Sequence, residues 1–177
     1  NRRKHIPAER TDFLTKRLNL FQFADEESAF DYAVITKNDG YIDPESLVGA
    51  PCVGGFDLSA TEDFTSACLE FPLADGRVFV LSYSVIPEKK VKLDNEKLPY
   101  REWEQEGWLT ICPGEYVDYK YIYNWFVGMS KKYSIQKICY DPANAYRLVQ
   151  DLKAYGGEEW TEVTRQGAMT LSPAFKD

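Results

Sequence analysis

Two aspartates in this sequence each follow a short apolar run and come directly before a turn. Asp57 ends the run at residues 52–57, and Asp141 ends the run at residues 135–141. Runs of this length are typical of buried strands. Two neighbouring strands that each finish on an aspartate place two carboxylates side by side. Paired carboxylates hold divalent metal, and metal held in this way supports the cutting of phosphodiester bonds.

Each aspartate also has a simpler interpretation. Asp57 comes before a turn that it can cap, and Asp141 comes before Pro142 and can cap the helix that follows. The two acids lie 84 residues apart (141 − 57 = 84), so their pairing depends on the fold and not on local spacing. Capping explains either residue alone, whereas the two together at matched strand ends favour a metal site.

Other residues that carry chemistry are less informative. Glu62 and Asp63 follow Asp57 closely; we interpret both as turn residues, with metal binding as the alternative. His5 is the only histidine and precedes all the predicted strands, which argues against a histidine-based triad and against zinc. The cysteines form no CxxC pair and are interpreted as buried free thiols: Cys52, Cys68, Cys112 and Cys139.

Composition and charge limit the class of protein. The 177 residues are 44% hydrophobic with a net charge of −7, which fits one acidic globular domain and argues against a protein that coats nucleic acid. An enzyme can still hold DNA locally through metal and a small basic patch. The candidate patches, at residues 2–4, 89–92 and 131–132, are more often solvated surface. No membrane span or signal core is visible, so a cytoplasmic protein is expected.

The elements that must position the aspartates are predicted to form a mixed α/β sheet. Strands are expected at residues 52–58, 65–73, 78–85, 134–141 and 160–163. Helices are expected at residues 7–20, 100–107, 119–133 and 143–155 and from residue 172. A hairpin turn is expected at residues 74–77, a charged loop at 87–99 and a short extended piece at 109–112. Strands 1–3 are expected to be antiparallel, and the later strands to be parallel and to alternate with helices. This order matches the ribonuclease-H-like fold.

The same segments resemble the large subunit of phage terminases. The sequence VGGFDLS at residues 53–59, followed by DFT at 63–65, resembles the first nuclease strand of that family. ICYDP at 138–142 resembles its second acidic strand. Residues 116–119, 148–156 and 169–174 resemble the segments around the long helix and after the second acid, and residues 13–20 resemble the link out of the motor domain. The order of these segments is more specific than any one of them.

The resemblance implies a metal-dependent DNA endonuclease domain that cuts concatemeric DNA during packaging, with metal-activated water as the attacking group. It implies Asp57 and Asp141 as catalytic and metal-binding residues, and Mg²⁺ or Mn²⁺ as the cofactor. The implied partners are double-stranded DNA, the ATPase motor domain of the same protein, the small terminase subunit and the capsid portal, in the host cytoplasm with no membrane. Residues 1–50 would form a linker or arm from the motor domain, and residues 51–177 a nuclease domain that is incomplete at its C-terminus.

Two departures from the family pattern lead to an alternative. The ATPase is absent, and a third family acid normally lies on a helix beyond residue 177; Asp177 does not stand in that motif and is not assigned the role. We therefore expect weak metal binding or an inactive isolated domain. The alternative is a non-catalytic ribonuclease-H-like module that docks DNA or a packaging partner.

Overall fold

The structure is a computed structural model that describes residues 36–38, 40–59, 63–93 and 98–165. The chain divides into two compact units, Asn1–Ile42 and Asp43–Asp177. All the elements given below belong to the second unit. Most of the predicted arm lies outside the described residues, as do His5, Glu62, Asp177 and the helices predicted at residues 7–20 and from 172.

The second unit is built on a six-stranded mixed sheet. Its strands are β1 (Pro51–Asp57), β2 (Thr65–Pro72), β3 (Val78–Pro87), β4 (Thr110–Cys112), β5 (Ser134–Tyr140) and β6 (Thr161–Val163). They lie in the order β4-β3-β2-β1-β5-β6, with β1 to β3 antiparallel and the pairs β3–β4, β1–β5 and β5–β6 parallel. This arrangement confirms the predicted mixed α/β sheet, antiparallel first and parallel after.

Four α-helices connect the later strands. They are α1 (Glu88–Lys92), α2 (Tyr100–Gln105), α3 (Lys120–Ser130) and α4 (Tyr146–Gly156), with short 3₁₀ turns at Pro44–Leu47 and Glu158–Trp160. The predictions of α2, α3 and α4 are confirmed, with ends displaced by one to three residues, as is usual for helix ends. Within the described ranges, no helix has the length and apolar character needed to cross a membrane.

One sequence prediction was wrong, and another described its segment correctly but not its place in the sheet. Residues 87–99 were expected to be a loop, but α1 occupies the first part, where Glu88 and Lys92 form an i,i+4 ion pair of 3.1 Å. The charges that suggested a loop therefore support a helical turn. The short extended piece expected at residues 109–112 is confirmed, because Thr110–Cys112 is extended and joins the sheet as β4 beside the end of β3. A strand of three residues is too short to show periodicity.

The sheet has one face covered by the main core and one face that is largely open. Along β1, Cys52, Gly54 and Phe56 are buried, whereas Val53 and Asp57 are exposed. The buried residues pack with α3 and α4 in the main core. On the other face, the end of β3 is covered by α1 and α2 through a second cluster formed by Ile86, Tyr100 and Leu109. We call this second side the open face.

Candidate functional site

The fold brings the two predicted aspartates to adjacent positions. Asp57 is the last residue of β1, and Asp141 directly follows the last residue of β5. These strands are parallel neighbours in which Phe56 pairs with Tyr140, so the aspartates are the next pair in register. Neighbouring strands lie about 4.8 Å apart. The backbones of two aspartates separated by 84 residues in sequence therefore lie side by side at the carboxyl edge of the sheet.

The strand pleat places Asp57 on the open face. Phe56 and Tyr140 stack with their ring centroids 5.6 Å apart and their planes 7° apart, and both belong to the main core. Because successive residues of a strand alternate between faces, Asp57 lies on the side away from that core. Its exposure agrees with this placement, and Asp141 is partly exposed just beyond the strand end. The pair is therefore open to a large ligand.

Hydrogen bonding distinguishes the two aspartates. Asp141 Oδ1 accepts a bond of 2.9 Å from the backbone N–H of Ala143, so this residue caps the turn after β5. It does not cap α4, which begins five residues later at Tyr146. The Asp57 carboxylate makes no hydrogen bond or ion pair with any residue that the structure describes. Capping thus accounts for one oxygen of Asp141 and for neither oxygen of Asp57.

The loop that follows Asp57 is fixed at both ends. The backbone N–H of Ser59 donates to Thr65 Oγ1 over 3.1 Å, and Thr65 is fully buried. The hydroxyl of Tyr119 donates to the backbone carbonyl of Ser59 over 2.9 Å. The Tyr119 hydroxyl is protonated at neutral pH, and burial raises its pKa further above the ordinary value of 10.0. These bonds join the loop to β2 and to the start of α3.

Asp63 stands at the far end of the same loop. Its backbone N–H donates to Ser59 Oγ over 3.1 Å, and its side chain is exposed. This bond agrees with the interpretation of Asp63 as a turn residue. Glu62, the other acid considered there, lies outside the described residues.

The donor set suits a hard divalent cation but is small. Both oxygens of Asp57 and one oxygen of Asp141 have no hydrogen-bond donor among the described residues. Mg²⁺ is commonly held by one or two carboxylates, with water and phosphate oxygens completing its shell, and these oxygens fit that pattern. Across the described parts of the chain, no three His, Cys, Asp or Glu residues form a group that could hold metal. A third protein ligand is therefore not found among these residues.

Sequence reasoning missed the aromatic residues beside the site. The sequence marks the lysines at residues 89–92 as a basic patch, but it gives no sign that Phe64 and Tyr100 lie against them. Phe64 precedes β2 by one residue, and Tyr100 begins α2.

The chain matches known proteins over most of its length. The family described as terminase large subunit, endonuclease domain, matches residues 3–177. Protein YmfN of Escherichia coli (strain K12) is 31% identical over an alignment of 154 residues, and the match covers 79% of this chain and 33% of YmfN. The terminase large subunit of Enterobacteria phage HK97 is 26% identical over 122 residues, which are 68% of this chain and 24% of that protein. The chain therefore spans about a third or less of the length of these curated relatives.

A solved structure shares the fold. The crystal structure of the HK97 bacteriophage large terminase superposes with a TM-score of 0.70 at 21% identity, over 98% of this chain and 36% of that chain. At this level of identity the likeness shows the fold, and it agrees with the mixed sheet described above.

Proposed function

This chain belongs to the endonuclease-domain family of terminase large subunits, and we propose that it cuts duplex DNA as a metal-dependent endonuclease. The observation that carries the proposal is the meeting of Asp57 and Asp141 in adjacent register at the carboxyl edge of the sheet. Acid pairs at such an edge supply oxygen ligands while leaving room for a phosphate.

Asp57 and Asp141 are the residues that would hold Mg²⁺ or Mn²⁺. Such an ion lowers the pKa of water and stabilises negative charge on phosphate and leaving oxygens. Asp57 contributes two oxygens that no described residue engages. The bond from Ala143 to Asp141 fixes the orientation of that carboxylate and leaves its second oxygen available. The exposure of Asp57 on the open face lets a DNA backbone approach the pair.

We extend the proposal to the longer protein. A curated relative with the printed name of terminase large subunit is about four times as long as the matched part. In this proposal the domain works with an ATPase motor, a small terminase subunit and a capsid portal in the host cytoplasm. The DNA it cuts there is concatemeric.

One observation favours a non-catalytic alternative. The described residues offer no third acid near Asp57 and Asp141, and a two-carboxylate site binds metal less tightly than a three-carboxylate site. A ribonuclease-H-like module that docks DNA or a packaging partner would not need metal. Metal binding and cleavage therefore decide between the two functions.

The test compares three isosteric variants of the longer protein in a plasmid cleavage assay with Mn²⁺, because the isolated domain is expected to bind metal weakly or to be inactive. Asp57→Asn and Asp141→Asn remove a charge from the proposed site, and we expect cleavage to fall to the level without enzyme. Asp63→Asn removes a charge from an exposed turn residue of the same loop, and we expect cleavage to be kept. Equal cleavage by all three variants and the unaltered protein would show that the aspartate pair is not the site.

Calorimetric titration with Mn²⁺ gives a second measurement that does not depend on turnover. We expect heat of binding with the unaltered protein and with Asp63→Asn, and none with Asp57→Asn. An unaltered protein that takes up no Mn²⁺ and yet binds DNA would support the docking module.

A further inference from the structure

The short helix α1 carries three lysines, and two of them form ion pairs with acids that the structure describes. Lys89 pairs with Glu115 over 3.2 Å, and Lys92 pairs with Glu88 over 3.1 Å. Lys90 forms no ion pair with any residue in the described part of the chain. Among the described residues, no carboxylate competes with an outside anion for this positive charge.

Lys90 is held in place by two aromatic rings. Its Nζ lies 5.9 Å from the ring centroid of Phe64 and 6.0 Å from that of Tyr100. The two rings lie 6.2 Å apart. Tyr100 is 2% exposed and anchored in the second core cluster, whereas Phe64 is 38% exposed. Contacts of a cation with ring faces restrain the ammonium without neutralising its charge.

The sheet places this lysine on the same edge and face as the aspartates. Asp57 pairs with Ser66 of β2, and Ser66 pairs with Ser84 of β3. Residues two apart in a strand share a face, so Ile86, which contacts Tyr100, continues the line from Ser84. Two strand spacings of about 4.8 Å put β3 about 10 Å from Asp57. The second cluster thus lies beside the aspartate pair on the open face of the sheet.

We propose that Lys90, positioned by Phe64 and Tyr100, binds a backbone phosphate of duplex DNA a few nucleotides away from the phosphate that meets Asp57 and Asp141. The inference rests on the proposed function and adds a residue that positions the DNA strand relative to Asp57 and Asp141. A lysine ammonium is a compact charge that suits phosphate. About 10 Å corresponds to about three nucleotides of axial rise at 3.4 Å each. With a net charge of −7, the chain needs such a local contact to hold DNA.

The test measures DNA affinity without metal, so that it is independent of cleavage. The full 177-residue chain is titrated against a fluorescein-labelled duplex in EDTA over a series of NaCl concentrations, with anisotropy as the signal. Lys90→Gln is expected to weaken binding about fivefold and to reduce the slope of log K against log salt by about 0.9, the value for one phosphate contact. Lys90→Arg is expected to keep the DNA affinity and the salt slope of the unaltered protein.

Two further variants separate phosphate binding from structure. Lys90→Met keeps the aliphatic stem against Phe64 and Tyr100, so it is expected to retain the melting temperature and lose affinity as Lys90→Gln does. Lys131→Gln is the matched control, because Lys131 is exposed, forms no ion pair with a described residue and caps α3 at the opposite edge of the sheet. It is expected to bind like the unaltered protein.

Two results would overturn the inference. One is a Lys90→Gln protein with the same affinity and salt slope as Lys131→Gln. The other is an unaltered protein whose DNA binding does not depend on salt or cannot be measured. Neither result uses the aspartates, so a failure here is distinct from a failure of the proposed nuclease site, which the plasmid assay reports.

Discussion

At the scale of the residue, Gly54 is the position in β1 that tolerates least change. A Cβ added there would come within 2.9 Å of a ring carbon of Phe126 and 3.2 Å of the side chain of Ile138. Both neighbours are fully buried and have little room to shift. We expect Gly54→Ala to lower the free energy of unfolding by about 1–3 kcal/mol, the usual cost of overpacking a core. Urea denaturation followed by circular dichroism measures the change.

Gly55→Ala is the matched control one residue further along the same strand. A Cβ there would stand 3.6 Å from Cys68 Sγ and 3.8 Å from the carbonyl oxygen of Cys139, which are ordinary contacts. Replacing glycine also removes conformational freedom from the unfolded chain. We expect the free energy of unfolding to stay within about 1 kcal/mol of that of the unaltered protein. An equal loss of unfolding free energy in both variants would mean that close packing against Phe126 is not the reason why Gly54→Ala is destabilising.

The aspartates and Lys90 show which site residues a sequence can reveal. Asp57 and Asp141 each end an apolar run, and the order of strands and helices is enough to make those runs parallel neighbours. The surroundings of Lys90 depend on Phe64, 26 residues earlier (90 − 64 = 26), and on Tyr100 in another helix. No periodic pattern links such residues. Whether the aspartates bind metal stays a prediction until it is measured.

At the scale of the element, the loop after β1 depends on α3 through one hydroxyl. Tyr119 donates to the Ser59 carbonyl two residues beyond Asp57, and Tyr119→Phe removes that bond while keeping the ring. We expect a loss of about 1 kcal/mol in the free energy of unfolding and faster amide hydrogen exchange in the loop. Mass spectrometry of exchanged peptides locates the effect.

Tyr116→Phe serves as the control for this prediction. Tyr116 is 59% exposed, and its hydroxyl makes no hydrogen bond with a described residue. We expect neither stability nor exchange to change. If Tyr119→Phe also leaves amide hydrogen exchange in the loop unchanged, then the ends of the loop are held by the bond to Thr65 and not by the bond to α3.

The helix α1 and the place of β4 in the sheet were not predicted, and the physical reason is the same for both. α1 has five residues and β4 has three, and each is fixed by a neighbour in space: β4 by pairing with β3, and α1 by packing of Val91 on the second cluster. Elements long enough to show a full period, such as α3 and β3, were visible in sequence. Patterns in the local sequence therefore predicted the long strands and helices of the sheet, but they did not predict the second cluster that surrounds Lys90.

At the scale of the whole molecule, thiol and phenol groups that stay protonated in the folded state make the stability of the protein depend on pH in the alkaline range. Burial raises the pKa of the Cys52 thiol from its ordinary 9.0 to about 11, and Cys52 is 1% exposed. Burial is also the main cause that raises the pKa of Cys68, Cys112, Tyr83, Tyr119 and Tyr133. These groups lie on β1, β2, β3 and β4 and in the segments before and after α3, so they report on four of the six strands and on the connections of the helix.

The direction of the pH effect follows from proton uptake. Between pH 9 and about 11 the unfolded chain has lost the Cys52 proton and the folded chain has kept it, so the folded state binds more protons and stability falls as pH rises. The contribution of Cys52 is fully present below pH 9 and is lost by about pH 11. We expect a decline on the order of 2–3 kcal/mol from this thiol, and more from the other groups. Urea denaturation across this range should show a shallower decline for Cys52→Ala, although that variant starts lower because it leaves a small cavity. A pH dependence as steep in Cys52→Ala as in the unaltered protein would mean that the decline arises from the buried tyrosines and the other thiols alone.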